Sequence, residues 1–146
     1  MEQDGIYPFF TCAEQPFRIN SYAFDCDALL ISGNGANVGY IHHYKGMFNA
    51  YQRTYVLMDF KKNIMFVMAY LQEYLKRRID ASKNTGNTPY IVMETLSEMK
   101  IHFPSEKEQN KIIRVLSILI AKIEIEQNLY HNYEQQKQYL LSAMFI

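Results

Sequence analysis

The chain has 146 residues, 49% of them hydrophobic, with 15 basic and 15 acidic side chains and a formal net charge of zero. That is long enough for one domain with an appendage, too apolar for a disordered chain, and too balanced to hold nucleic acid by bulk charge alone. Two cysteines, Cys12 and Cys26, form neither a disulfide framework nor a metal-ligand spacing. The opening residues are polar and acidic rather than a signal peptide, and the longest apolar run, 64–71, is far too short to span a bilayer. A reduced, cytoplasmic setting is therefore expected.

Residues 1–60 read as β structure. Short apolar, aromatic or β-branched runs at 7–12, 28–32, 38–43 and 54–58 are punctuated by Gly, Asn and Asp. The segment GNGANVG, 33–39, joins two of these strands, and Lys45-Gly46 marks another turn. A helix over 63–80 follows, with Asn63 as its cap. Its core face is Phe66, Met68, Ala69, Leu71, Leu75 and Ile79. Charge is uneven: residues 1–60 hold three basic side chains (Arg18, Lys45, Arg53) against six acidic, while the densest basic cluster is Lys76-Arg77-Arg78, with Lys83 close behind. Such a cluster is either a solvated helix end or a phosphate contact.

Residues 81–89 form a polar loop, and 91–103 a short strand or helix pair leading to Pro104. The last helix opens with Ser105 as cap and Glu108 at the capping-box position. It extends to Phe145, about 40 residues or ~60 Å. Ile112, Leu116, Leu119 and Ile123 begin a heptad seam that continues through Glu126, Tyr130, Tyr133, Lys137, Leu140 and Met144. So long a seam calls for a partner helix; the alternative is an amphipathic helix lying on its own domain. The expected organisation is α+β: a small mixed, β-rich unit with packed helices over 1–104, then a coiled-coil helix over 105–146.

GNGANVG is not a nucleotide fingerprint, because strand rather than helix follows it and no Lys-Ser/Thr pair closes it. It reads as a hairpin connection using positive φ. At its tip, the amides of Asn34 and Asn37 have the donor and acceptor to read an adenine edge. NTPY, 87–90, superficially resembles the NPPY motif of amino-methyltransferases, but Thr88 replaces a proline and the chain has little room for a cofactor sheet. His42, His43, His102 and His131 lack a third ligand at metal spacing. With no nucleophile–base pattern either, no enzymatic activity, cofactor or metal is expected.

Several segments, in order, resemble the specificity subunit of type I restriction–modification systems. They are DALLISGNGANVGYI (27–41), GMFNAYQRTYVL (46–57), the helix NIMFVMAYLQEYLKRRI, the loop TGNTPYI (85–91), LSEMKIHFPSEKEQNKII (96–113) and the closing LYHNYEQQKQYLLSAMF. The resemblance implies a target recognition domain that reads one half of a split DNA site. It implies a long helix that pairs antiparallel with a second specificity chain, and modification and restriction subunits as partners. The family carries two such domains and two such helices, so this chain resembles a half-subunit. The usual opening strand is not in the chain, and the N-terminal part of the recognition domain is expected to be missing.

On this reading the DNA-facing residues are Asn34, Asn37, Lys45, Asn49, Arg53, Lys83, Asn84, Thr85, Asn87 and Thr88, and the pairing residues are Ile112, Leu116, Leu119, Ile123, Tyr130, Tyr133 and Leu140. The competing reading is a coiled-coil module whose β-rich unit binds protein rather than DNA.

Overall fold

A computed structural model describes residues 4–81 and 89–145. The chain divides into two compact units, Met1–Glu106 and Lys107–Ile146. In the first, five strands form one mixed sheet: β1 (Tyr7–Phe10), β2 (Phe17–Ile19), β3 (Phe24–Ser32), β4 (Ile41–Ala50) and β5 (Thr54–Leu57), in the order β2-β1-β4-β3-β5. Pairings are antiparallel except β1 with β4, which is parallel. Two helices follow, α1 (Ile64–Ala81) and the five-residue α2 (Met93–Ser97).

The strand β3 carries two cores because its side chains alternate across the sheet. Leu29 and Ile31 face α1, whose stripe Val67, Leu71, Leu75 and Ile79 recurs every four residues. Val67, not the expected Phe66, heads that stripe; Phe66 lies against Phe103 instead, ring centroids 5.8 Å apart. Asn63 caps the helix as expected, its Oδ1 accepting the N–H groups of Met65 and Phe66 at 3.0 and 3.2 Å.

The opposite face of β3 holds Ala28 and Leu30, buried with Phe10 and Phe48 in a cluster whose described members all come from, or lie beside, the strands. The sheet encloses this second core by curling. Ile41 at the start of β4 pairs with Ile31, and Thr54 at the start of β5 pairs with the adjacent Ser32. Ala50, the far end of β4, would stand about 30 Å from Thr54 if β4 were straight. Four residues reach at most about 14 Å, and the turn is further tightened by Thr54 N–H on Tyr51 O at 2.8 Å. β4 must therefore bend. Gly46, with φ of 131°, supplies the bend inside the strand. The Lys45-Gly46 turn expected from sequence is thus a kink in a continuous strand. The tip of the curl is stitched by the Phe10 carbonyl, which accepts Tyr51 N–H at 2.8 Å and Thr54 Oγ1 at 3.4 Å. Inside it, Phe48 stacks on Phe24 and meets Phe10 edge-on, at 5.1 and 5.8 Å.

Other boundaries also differ from expectation. Residues 38–40 belong to the β3–β4 connection, β3 begins four residues before the apolar run, and β2 gave no sequence signal. The segment 91–103 contains one short helix.

In the second unit, α3 (Glu106–Met144) is a continuous helix of 39 residues. Among the described residues no helix is long and apolar enough to cross a membrane.

Two substitutions test the curl. Around Gly46 the nearest heavy atom to an added Cβ is 3.6 Å away, so Gly46→Ala should cost only backbone strain, about 1–3 kcal/mol. Phe48→Ala should cost about 3–5 kcal/mol by emptying the second core. Urea unfolding measures both; an unchanged midpoint for Gly46→Ala would show that β4 bends without glycine.

Candidate nucleic-acid interface

Four segments distant in sequence meet at the end of the sheet marked by Ser32. The 33–39 connection makes two successive turns, with Val38 N–H on Gly35 O and Tyr40 N–H on Asn37 O, and rejoins β3 through Gly39 N–H on Ser32 O. Gly35 and Gly39 have φ of 82° and 84°. At Gly39 a side chain is also excluded sterically, since a Cβ would lie 2.7 Å from the Ile79 Cδ1 of α1. In the second segment, 51–53, the Arg53 carbonyl accepts Gly33 N–H at 2.8 Å.

The third, 89–91, runs beside the connection: Gly35 N–H reaches Pro89 O, Ile91 N–H reaches Gly33 O, and Tyr55 hydroxyl donates to Ile91 O at 2.7 Å. The fourth follows β1. Asn37 Nδ2 donates to Cys12 O at 3.1 Å, His42 Nε2 bonds Ala13 O at 3.1 Å, and Cys12 Sγ lies 3.0 Å from Asn34 Oδ1.

This arrangement places the residues singled out from sequence in different circumstances. Asn34 and Asn37 sit in the cluster, but each spends one amide group internally, so neither offers a free donor–acceptor pair to an adenine. Asn49 lies nearby with its amide bonded to Ser21 O and to Ala50 N–H. Lys45 is exposed on β4 beside the Gly46 kink, paired across the sheet with Asp27 and away from the cluster. Arg53 is in the cluster and exposed, and its guanidinium meets no acceptor among the described residues. Lys83, Asn84, Thr85, Asn87 and Thr88 lie outside the described residues. The basic cluster of α1 divides: Arg77 pairs with Glu73 and covers the Tyr74 ring, and Arg78 pairs with Glu98 at 3.4 Å. Lys76 instead lines a groove with 36–41 and Pro89.

Sequence reasoning missed Cys12, Gln52 and the exposed tyrosines Tyr40, Tyr51 and Tyr90. Only the fold brings them together. Their rings have the faces on which a base or sugar can rest.

Three carboxylates cluster at one end of the sheet. Asp25 and Asp27 at the start of β3, and Asp59 beyond β5, gather at the end away from Ser32. Burial, then the carboxylates of Asp59, Asp25 and Asp27, raise the pKa of the Cys26 thiol above its ordinary value and keep it protonated at neutral pH. Arg53 and Lys76 stand at the opposite end. Neither end is of a single sign: Asp80 lines the groove with Lys76, Lys62 stands with Asp27 and Asp59, and Lys45 pairs across the sheet with Asp27.

Comparison with known proteins identifies the family. The type I restriction modification DNA specificity domain matches residues 1–135. A type I restriction enzyme specificity subunit, EcoDI of Escherichia coli, is 40% identical over 123 residues, covering 84% of this chain and 27% of that protein. The chain thus spans about a quarter of that relative's length. The crystal structure of a type I restriction–modification S subunit from M. genitalium superposes with a TM-score of 0.66 at 20% identity, covering 84% of this chain and 34% of that one. The fold is therefore shared, and the chain belongs to the family of type I restriction–modification DNA specificity proteins.

Proposed function

We propose that this chain reads duplex DNA as a recognition unit of a type I specificity subunit, without catalysing a reaction itself, and directs partner modification and restriction subunits. The observation that carries the reading is the meeting of four loops, with unspent Arg53 and Lys76, opposite the carboxylate end of the sheet. Loop side chains on a rigid sheet suit base readout. The flanks of 82–88, whose polar residues Lys83, Asn84, Thr85, Asn87 and Thr88 are proposed DNA contacts, reach this same end.

The second unit supplies pairing. The seam residues of α3 are open in the single chain, with Leu119 51%, Ile123 55%, Tyr130 68% and Leu140 56% exposed. In a parallel pair, Glu126 would face Glu126 and Lys137 would face Lys137. An antiparallel pair instead can set Glu126 against Lys137 of the second copy, with Tyr130 against Tyr133 and Ile123 against Leu140. That register satisfies both charges. A second exposed stripe, Val115, Ile118, Ile125 and Leu129, lies roughly 100° around the helix. Two helices leave it bare, and a modification subunit is the partner proposed to cover it.

Three outcomes are expected. Lys76→Glu should weaken all duplexes alike and lower the salt slope of log Kd by about 1, while Arg78→Glu, already paired in the free protein, should leave the slope unchanged; fluorescence anisotropy across salt concentrations measures both. Leu119→Asp should give monomers in sedimentation, and a native chain that stays monomeric at high concentration would remove the pairing. Lys137→Glu should weaken the dimer, and adding Glu126→Lys should restore it; a double variant as weak as the single one contradicts the register.

A further inference from the structure

We infer that Arg53 is a specificity-determining side chain that takes the N7 and O6 acceptors of one guanine, and that Cys12 is the residue that positions it. This rests on the reading of the chain as a DNA reader.

Four arginines lie in the first unit, and three are already committed. Arg18 donates to Ile6 O at 3.0 Å, Arg77 pairs with Glu73, and Arg78 pairs with Glu98. The Arg53 guanidinium meets no acceptor, backbone or side chain, among the described residues. Its backbone, in contrast, is fixed on several sides. The carbonyl accepts Gly33 N–H at 2.8 Å, and the Cys12 thiol hydrogen is shared between that carbonyl, at 3.5 Å, and Asn34 Oδ1, at 3.0 Å. The next residue, Thr54, is tied to Tyr51 O by its N–H and to Phe10 O by its hydroxyl. Gly33 is required for the approach, because a Cβ there would stand 2.3 Å from Arg53 O.

A held backbone bearing an uncommitted fork of donors suits directional recognition. The guanidinium is planar, and its two parallel N–H groups match the acceptor pair on the major-groove edge of guanine. Fixing the backbone in advance lowers the ordering cost on binding. A phosphate can be met from many directions and gains little from such fixing. The neighbouring Gln52 amide and the cleft of about 320 Å³ that Arg53 lines with Gly33, Gln52 and Ile91 leave room for a base edge. Cys12 acts through others: it bonds Asn34 of one loop and Arg53 of another, while its own carbonyl accepts Asn37.

The test begins with selection of preferred duplexes from a random pool by the full chain assembled with its modification subunit. Each guanine of the selected site is then replaced by 7-deazaguanine, which lacks the N7 acceptor, and Kd is measured for the parent, Arg53→Ala, Arg53→Lys, Cys12→Ala and Cys12→Ser. At one guanine the replacement should weaken the parent about 10-fold, within the 5- to 150-fold range of a bidentate contact. It should cost Arg53→Ala nothing, and the salt slope of that variant should match the parent's. Arg53→Lys should lose most of the discrimination. Cys12→Ala should lose part of it, and Cys12→Ser, which keeps a donor for Asn34, should regain it. Uniform weakening by Arg53→Ala across all sequences, with a slope reduced by about 0.9, would make Arg53 a phosphate contact and overturn the inference. Equal discrimination by Cys12→Ala and the parent would remove the positioning role. A pool that yields no preferred sequence would instead overturn the DNA-reading function itself, and this inference with it.

Discussion

The bend of β4 at Gly46 is the constraint on which the first unit depends. A ten-residue strand in a flat sheet would leave one face of β3 in water and would carry the β4–β5 turn far from the β3–β4 connection. With Gly46 at φ of 131°, β4 turns so that its Phe48 packs on Ala28 and Leu30, and residues 51–53 return to the end where Ser32 lies. The same bend thus closes a hydrophobic core and assembles the loop cluster. Stability and site are coupled through one backbone conformation that L side chains rarely adopt.

Once the loops meet, a division of labour follows. Polar groups inside the cluster are spent on each other: Asn37 on Cys12, Asn34 on Cys12, Tyr55 on Ile91. Those bonds bring little net stability singly, on the order of 1 kcal/mol each. They restrict how loops move relative to one another, which is what recognition by loops demands. The groups left for a partner are few, and Arg53 and Lys76 lie at the end that the carboxylates of Asp25, Asp27 and Asp59 do not occupy.

Legibility in the sequence tracked locality. The helix α1 was readable because its apolar stripe repeats along one face and Asn63 caps it, both properties of contiguous residues. The apolar half of β3 was readable for the same reason. Its first residues were not, because Asp25 and Asp27 alternate outward and mask a strand held by pairing with β4. β2 exists only through three pairings with β1. Lys45-Gly46 read as a turn but lies inside a continuous strand, because whether a glycine ends a strand or curves it depends on pairing partners elsewhere. The Lys76-Arg77-Arg78 run misleads differently: successive helix residues point about 100° apart, so a cluster in sequence is dispersed in space. Conversely, Cys12 and Arg53 are 41 residues apart yet share a hydrogen bond, and no spacing rule announces such a meeting.

The charges within the α3 seam follow a related logic. Leucine at 126 and 137 would make a more apolar interface, but an all-apolar heptad seam permits slippage and either orientation. A slip of one heptad in the proposed antiparallel pair displaces one helix along the other by about 10 Å, close to the length of three base pairs of duplex at about 3.4 Å each. If the pair reads two separated half-sites, as proposed, such an error would misplace one of them. A buried or half-buried Glu–Lys match contributes little net stability, yet a mismatch leaves a charge facing apolar side chains at a cost of several kcal/mol. In the proposed pair, the seam's two charged positions would therefore act against wrong registers more than in favour of the right one, and would set a distance that the recognition units themselves have no means of fixing.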